Sequence, residues 1–453
     1  VCLRLPAYSA SAKDICFIGA QPFSSWDSRI SPDLEVFFRV SLSMKALQSI
    51  VVIDPVSSAR RYGTEIIKKG FRSVALVTRD RFPGMLDRLH SCDGFEITVK
   101  AYDFSEAIER LFDLNVKAIL PGSDSALKLS DELAQHFGLI GNPVATRQAR
   151  TNKLAMKHRL HANSVPATIS TEISLDQLFK CDFAEFEYPA VVKPCQGTGS
   201  KNVKICHSRA DVYKAVAAIE SAHEGYVQEE RGALIEPFIE GPEYFMATAN
   251  FGKHKKKNIL CFAEYEKIRV GNNPSVYKNI RSLSTVSSKA KNAFKYIRRV
   301  NEALEADYGI NDIEFKSSVD GWVIIEQNGR LSGANVPSLA EQCTGLNWYS
   351  LNLDIFLGRS IENFKGVDYR KHFCICCLIN VGVGKIISVS GVDEVKELSS
   401  VVNIDVLVKA GDLVQDTQDF LSTWGFVYLV HESQDVLVEH SKLVHEVMRL
   451  HCC

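Results

Sequence analysis

Hydrophobic positions along the chain fall into two periodic regimes. Ile50-Val51-Val52-Ile53 is a short continuous apolar run, followed by a turn from Pro55 to Ser58 and a helical pattern from about Ala59 to Lys69 that Gly70 closes. Strand patterns then recur at Ser73 to Thr78, Phe95 to Ala101 and Lys117 to Leu120, separated by helical patterns at Ser105 to Leu114 and Ser125 to Phe137. Strands spaced by such crossovers predict a parallel, doubly wound α/β sheet. Ligands of these sheets sit beyond the carboxyl ends of the strands, where Asp54, Ser57, Gly122 and Asp124 fall. Turn and cap chemistry is the simpler account of each of these residues taken singly.

After Pro143 the texture changes. A basic helix is expected from about Thr151 to His161, stopping before Pro166, and residues 188–325 read mainly as strands, interrupted by a helix from about Ser288 to Ala306. From Ile361 short strands mix with a terminal helix, Ser433 to Leu450. Lys253-His254-Lys255-Lys256-Lys257 separates two strand patterns and reads as a solvated hairpin tip. The first 43 residues contain no Met and lack clear periodicity, and Met44 stands just before the first strand. Residues 1–48 are therefore expected to be a non-core extension, and deletion of 1–43 to leave the activity intact. Their start lacks a basic region followed by an apolar one, as a signal peptide requires. The remaining boundaries predict domains at 49–150, 151–360 and 361–453.

Composition narrows the class without naming the chemistry. The chain has 453 residues, Lys+Arg 53 against Asp+Glu 54, a net charge of −1, 46% hydrophobic and 24% charged residues. This is globular composition, long enough for about three domains. The balance of charge argues against gripping nucleic acid or a membrane by a bulk basic field. An odd count of thirteen cysteines fits a reducing cytoplasm better than a disulfide framework. Cys374, Cys376 and Cys377 suggest a metal site, but alternation sets Cys377 on the opposite face from the other two, so packing is the better account. Cys452-Cys453 beside His451 is expected to be a terminal tail.

Three segments carry candidate chemistry. In the first, Lys193 ends a strand before Pro194-Cys195-Gln196-Gly197-Thr198-Gly199-Ser200, and a strand pattern resumes after it. The spacing matches neither a dinucleotide fingerprint nor a P-loop. A Gly-rich hairpin can still lay backbone N–H groups and hydroxyls over phosphates, with Lys193 as a fixed positive charge, although most such hairpins are only turns. The second segment runs from Leu234 to Tyr244. Its apolar strand and connector offer a backbone edge for a base, and Glu236, Glu240 and Glu243 are acceptors. Alone it does not exclude an ordinary strand with surface acids.

The third segment, Asn311 to Gly333, is the most informative. Two strands flank Asp320-Gly321, and alternation puts Glu326, Asn328 and Arg330 on one face if the strand continues that far. Glu314 and Glu326 are symmetric about Asp320, so a three- or five-residue loop sets them opposite, whereas a two-residue turn displaces them by one. An odd loop is expected. Two carboxylates and an amide then form a hard-oxygen site suited to Mg²⁺ (or Mn²⁺), and Arg330 reaches the same space to stabilise developing negative charge.

Together these segments resemble the ATP-grasp superfamily of carboxylate–amine ligases, over residues from about 50 to 430 and in the family's order. The opening Val52-Ile53-Asp54-Pro55-Val56-Ser57-Ser58 is similar to that of the L-amino acid ligases that make dipeptides. The resemblance implies an ATP-grasp fold, α/β and α+β, with an N-terminal doubly wound parallel domain, a two-lobed ATP-binding region and a C-terminal α+β subdomain. It implies that Lys153 and Lys193 contact ATP phosphates under the loop Gly197, Thr198, Gly199 and Ser200, with Lys267 as a weaker match. Glu236, Phe238 and the backbone near Ile239 would hold adenine, and Glu243 the ribose. Glu314, Glu326 and Asn328 would bind magnesium, and Arg330 with Ser332 and Gly333 would border an acyl phosphate. Where those ligases often carry His, two residues before the first metal-binding acid, this chain has Asp312, which would favour a cationic or protonated amine partner.

The activity implied is amide formation between amino acids or related small molecules, with ATP giving an acyl phosphate, ADP and phosphate. A homodimer is compatible with it. Two rival readings stand beside it: an ATP-binding regulatory pseudoenzyme, and an ATP-grasp ligase that uses a thiol or bicarbonate.

Overall fold

In the computed structural model the described residues are 47–453, except 83–84, 181–186, 198, 222–231, 254, 256, 271–272, 360–363, 365 and 368. The expectations for the leading segment, Thr198, His254, Lys256 and Ile361 therefore lie outside the described residues. Strands β1 (Ser49–Ile53), β2 (Arg72–Val77), β3 (Ile97–Lys100) and β4 (Val116–Pro121) form a parallel sheet in the order β3-β2-β1-β4. All five residues of β1 are buried, as a central strand covered by helices on both faces requires. A second, antiparallel sheet joins β5 (Thr171–Ile173), β6 (Ala190–Pro194), β7 (Lys204–Cys206) and β8 (Ala233–Pro237) in the order β5-β8-β6-β7. Helix Arg209–Ser221 packs on this sheet through Val212, Ala215, Val216 and Ile219. The sequence pattern does not mark that helix, because its small alanines give a weak apolar stripe.

The third sheet has eight strands. Strands β9 (Glu243–Phe251), β10 (Lys257–Val270), β11 (Asn273–Ser282), β12 (Tyr308–Ser318), β13 (Gly321–Asn328) and β14 (His372–Leu378) belong to it. With β16 (Val401–Val406) and β18 (Gly425–His431) the order is β13-β12-β9-β10-β11-β14-β18-β16. Strands from beyond residue 361 thus extend the same sheet that carries the candidate acids. A small sheet of β15 (Gly384–Ser390), β17 (Leu413–Val414) and β19 (Arg449–Cys452) completes the C-terminal region. The expected tail is therefore a strand: His451 and Cys452 pair with Ser388 and Ile386.

Alternation along β9 divides the core. Tyr244 and Met246 face the helix Ser288–Ala303, which buries Ala293, Ile297 and Val300 against them, while Phe245, Ala247 and Ala249 face the other side. Burial of Ile297 and Val300 contributes about 1.5–3 kcal/mol each. Glu314 sits beside Phe245 on that second face. Cys374 and Cys376 are buried on one face of β14 and Cys377 on the other. No helix among the described residues is long and apolar enough to cross a membrane.

Candidate active site

The acid-bearing hairpin reaches its expected alignment by an unexpected route. Ser318 pairs with Gly321 across a two-residue turn, and the register continues through Phe315 and Ile324. Between Glu314 and Phe315 it shifts by one, so Ile325 is the extra residue of a β-bulge. The bulge restores Glu314 opposite Glu326, and Asp312 opposite Asn328. The expected odd loop is thus replaced by an even turn plus one unpaired residue, which has the same effect on side-chain parity.

Four lysines converge on this hairpin, each tethered by the fold. Asn152 caps the helix Lys153–Ala162 by accepting from the Ala155 N–H. The Lys153 N–H then donates to the carbonyl of Cys195 at 2.8 Å, and its ammonium reaches the Gly197 carbonyl at 3.0 Å and Glu326 at 2.7 Å. One turn along, Lys157 is fully buried and reaches Glu236 at 3.2 Å. Lys193, on β6, meets the same carboxylate at 2.5 Å. Lys267 pairs with Glu243 at 2.5 Å, its ammonium 4.1 Å from the Tyr277 ring centre.

Lys153, Lys193, Lys267, Glu236 and Glu243 line one cleft of about 1020 Å³, together with Gly197, Gly199, Ser200, Phe238, Ile239, Glu314 and Glu326, whereas Lys157 stays buried beneath its ion pair with Glu236. Asn328 opens instead onto an adjoining cleft that shares Lys153, Gly197 and Glu326, and donates to Glu326 at 3.2 Å. Glu236 was expected to hold adenine. Its carboxylate accepts from Lys157, Lys193, Thr168 and Ser170, so the geometry makes it the anchor of two ammonium groups. Lys316 donates to the Ile239 carbonyl at 2.9 Å and lies over Phe238.

The two facing carboxylates sit in opposite electrostatic settings. Burial pushes the Glu314 carboxyl well above its ordinary range, reinforced by Glu326, Glu243 and Asp312 and only partly offset by Lys267. Burial acts on Glu326 too, yet the Lys153 ammonium holds it below the usual range. Lys153 is raised because Glu326 outweighs its own desolvation, while burial brings Lys157 down to about 8. Among the described residues no group of three or more His, Cys, Asp and Glu could hold a metal ion unaided. Mg²⁺ typically takes only one or two carboxylates, with nucleotide phosphates and water for the rest. Glu314, short of cations beside Glu326, fits such an ion, and the tethered lysines fit a polyphosphate.

A second cleft, of about 900 Å³, shares Gly199, Tyr277 and Glu314 with the first. Arg330, Ser332 and Gly333 line it. Arg330 is held from both sides: its Nε lies 2.9 Å and its Nη2 3.0 Å from Asp124, and its Nη1 3.2 Å from Asp312. Burial raises Asp312 to about 6 against the pull of Arg330. Asp124, which ordinary turn chemistry seemed to explain, is therefore an ion-pair and hydrogen-bond partner from the 3₁₀ turn after β4, and only the tertiary fold reveals it. Lys157 was missed as well, although its position four residues after Lys153 marked a shared helix face. Tyr265 and Tyr277 have no comparable signal in sequence. Tyr265 donates to Glu314 at 3.2 Å.

Comparisons with known proteins agree with this architecture. Residues 186–338 match the family model described as an ATP-grasp domain, and residues 379–444 that of the L-amino acid ligase C-terminal domain 2. Dapdiamide A synthase of Enterobacter agglomerans is 25% identical over 352 residues, 73% of this chain and 78% of its own. The L-arginine-specific L-amino acid ligase of Bacillus subtilis is 22% identical over 350 residues, 74% of this chain and 79% of its own. The crystal structure of an L-amino acid ligase from Bacillus licheniformis superposes with a TM-score of 0.74 at 18% identity, covering 90% of this chain and 99% of that one.

Proposed function

We propose that this chain, a member of the ATP-grasp ligase family with an L-amino acid ligase C-terminal domain, joins the carboxylate of one amino acid, or a related small molecule, to the amine of another. The observation that carries the reading is the bulge at Ile325. It sets Glu314 opposite Glu326 in a lysine-lined cleft that continues, through Gly199 and Tyr277, into the cleft of Arg330.

Glu314, Glu326 and Asn328 hold magnesium in this reading, and Lys153, Lys193 and Lys267 face the phosphates. Magnesium bound with ATP supplies charge neutralisation on the transferring phosphoryl group. Gly197, Gly199 and Ser200 cover the phosphates, the connector at Phe238 and Ile239 borders the adenine, and Glu243 faces the ribose. A substrate carboxylate in the second cleft attacks the γ-phosphorus, giving an acyl phosphate and ADP. The amine then attacks the acyl carbon, and phosphate leaves. Arg330, with Ser332 and Gly333, stabilises the negative charge that develops at that centre. Asp124 and Asp312 fix its guanidinium, so little reorganisation is needed during the reaction.

The test is ADP release from Mg·ATP with single and paired amino acids, with mass spectrometry of the products. Pair-dependent ADP release and an amide of matching mass are expected. Turnover with a thiol or bicarbonate alone, or no turnover with any acid and amine, would overturn the assignment.

A further inference from the structure

The second cleft has two chemically distinct ends. Every charged residue among those lining it, Asp124, Asp312, Glu314 and Arg330, belongs to the end formed by β12 and the Arg330 clamp. At the other end Val56, Leu86, Leu89 and Leu421 belong to one apolar cluster, drawn from the loop after β1, the helix Met85–Leu89 and the 3₁₀ turn Phe420–Ser422. Val56 and Leu86 are buried, whereas Leu89 and Leu421 are only half-buried and line the cleft. The C-terminal turn is fastened there: the Phe420 N–H donates to the Gly199 carbonyl at 3.2 Å, and a Cβ at Gly199 would lie 2.8 Å from Leu421 Cγ. The apolar wall therefore reaches the loop that borders the nucleotide cleft.

A free α-amino acid has the same polarity. Its ammonium and carboxylate suit an acid-rich end containing one arginine, and its side chain points away from them. We propose, resting on the ligase reading above, that Val56, Leu86, Leu89 and Leu421 form the side-chain subsite for the amino acid whose carboxylate is activated, and that this subsite selects aliphatic and aromatic side chains over charged ones. A charged side chain there would lose its water with no partner among these four residues. Each methylene that fits gains contact, a discrimination of about tenfold or more.

Two readouts test this on the full chain. With Mg·ATP, hydroxylamine attacks the acyl phosphate to give a hydroxamate and phosphate, so donors can be ranked without knowing the natural amine. Leucine, isoleucine, methionine and phenylalanine should give at least tenfold more hydroxamate than lysine, arginine, aspartate or glutamate. Calorimetric binding of the same amino acids without ATP should follow the same order. Leu89→Asp should reduce leucine binding at least tenfold and improve lysine binding, and Leu89→Ala, the milder change, should weaken leucine binding about tenfold. If no acid yields hydroxamate while apolar amino acids bind selectively through Leu89, the ligase reading fails and the subsite stands. Charged donors that match or exceed the apolar ones, no amino-acid binding, or an unchanged ranking in folded Leu89→Ala would overturn the subsite.

Discussion

The two clefts meet at Glu314 but use charge in opposite ways. In the first, acids hold cations: Glu236 anchors Lys157 and Lys193, Glu326 anchors Lys153, and Glu243 anchors Lys267. In the second, one cation is held by two acids, Asp124 and Asp312, beside an apolar wall. The difference teaches that buried ion pairs here are position holders. Pairs of this kind contribute little net stability, since desolvation offsets much of the attraction. They keep ammonium and guanidinium groups oriented before a substrate arrives, which suits a polyanion in one cleft and a small zwitterion in the other.

The strongest way to break the comparison is at the shared hairpin. Glu326→Gln removes one carboxylate of the proposed metal pair and frees Lys153, and should lower amide formation by about 10³-fold or more while circular dichroism shows a folded protein. Full turnover by this variant would remove Glu326 from the site. Deleting Ile325 leaves every polar and charged residue of the site in the chain but removes the bulge, turning Glu326 and Asn328 toward the other face. Its loss of turnover should approach that of Glu326→Gln, and a retained rate would show that the register does not position the acids. Arg330→Ala confines the damage to the second cleft. Amino-acid-dependent ADP release should fall about 10²–10³-fold, with ATP binding, measured by calorimetry, little changed.

The smallest effect concerns Lys157. Its pKa is about 8 in the folded chain against an ordinary 10.5, so the folded state sheds this proton before the unfolded state does. The cost of keeping the buried ammonium charged is fully present below about pH 8 and is relieved as pH rises toward 10.5. The stability of the wild type relative to Lys157→Met should therefore increase across that window, by up to about 3 kcal/mol. Urea unfolding of both proteins at pH 7.5 and pH 10 measures it, and a falling difference would contradict the assignment of Lys157 as a burial-depressed lysine.

Much of the fold was legible because its signals are local. The first sheet was readable from apolar runs bounded by turns, and the β9–β10 and β6–β7 hairpins from strand patterns on either side of glycine or charge. The site was legible where residue type and spacing act together, as in Glu314, Glu326, Asn328 and Arg330, or in Lys193 before the Gly-rich loop. Local signals failed where partners are far apart in the chain. Nothing near Asp124 announces Arg330, and nothing near Glu236 announces the two ammonium groups that occupy it. Nothing near Phe420 and Leu421 announces their contact with Gly199.

By itself, then, the sequence determined the element types, the alternation of faces and the chemical character of the acid-bearing hairpin, because these follow from backbone periodicity and side-chain chemistry over a few residues. Only the tertiary structure decided the parity of that hairpin, since a bulge at Ile325 is one unpaired residue that no local preference marks. It also decided which acid serves which cation. In a buried, low-dielectric interior that pairing depends on distance and desolvation, and both are set by how β6, β8, β12 and the helix Lys153–Ala162 pack against one another.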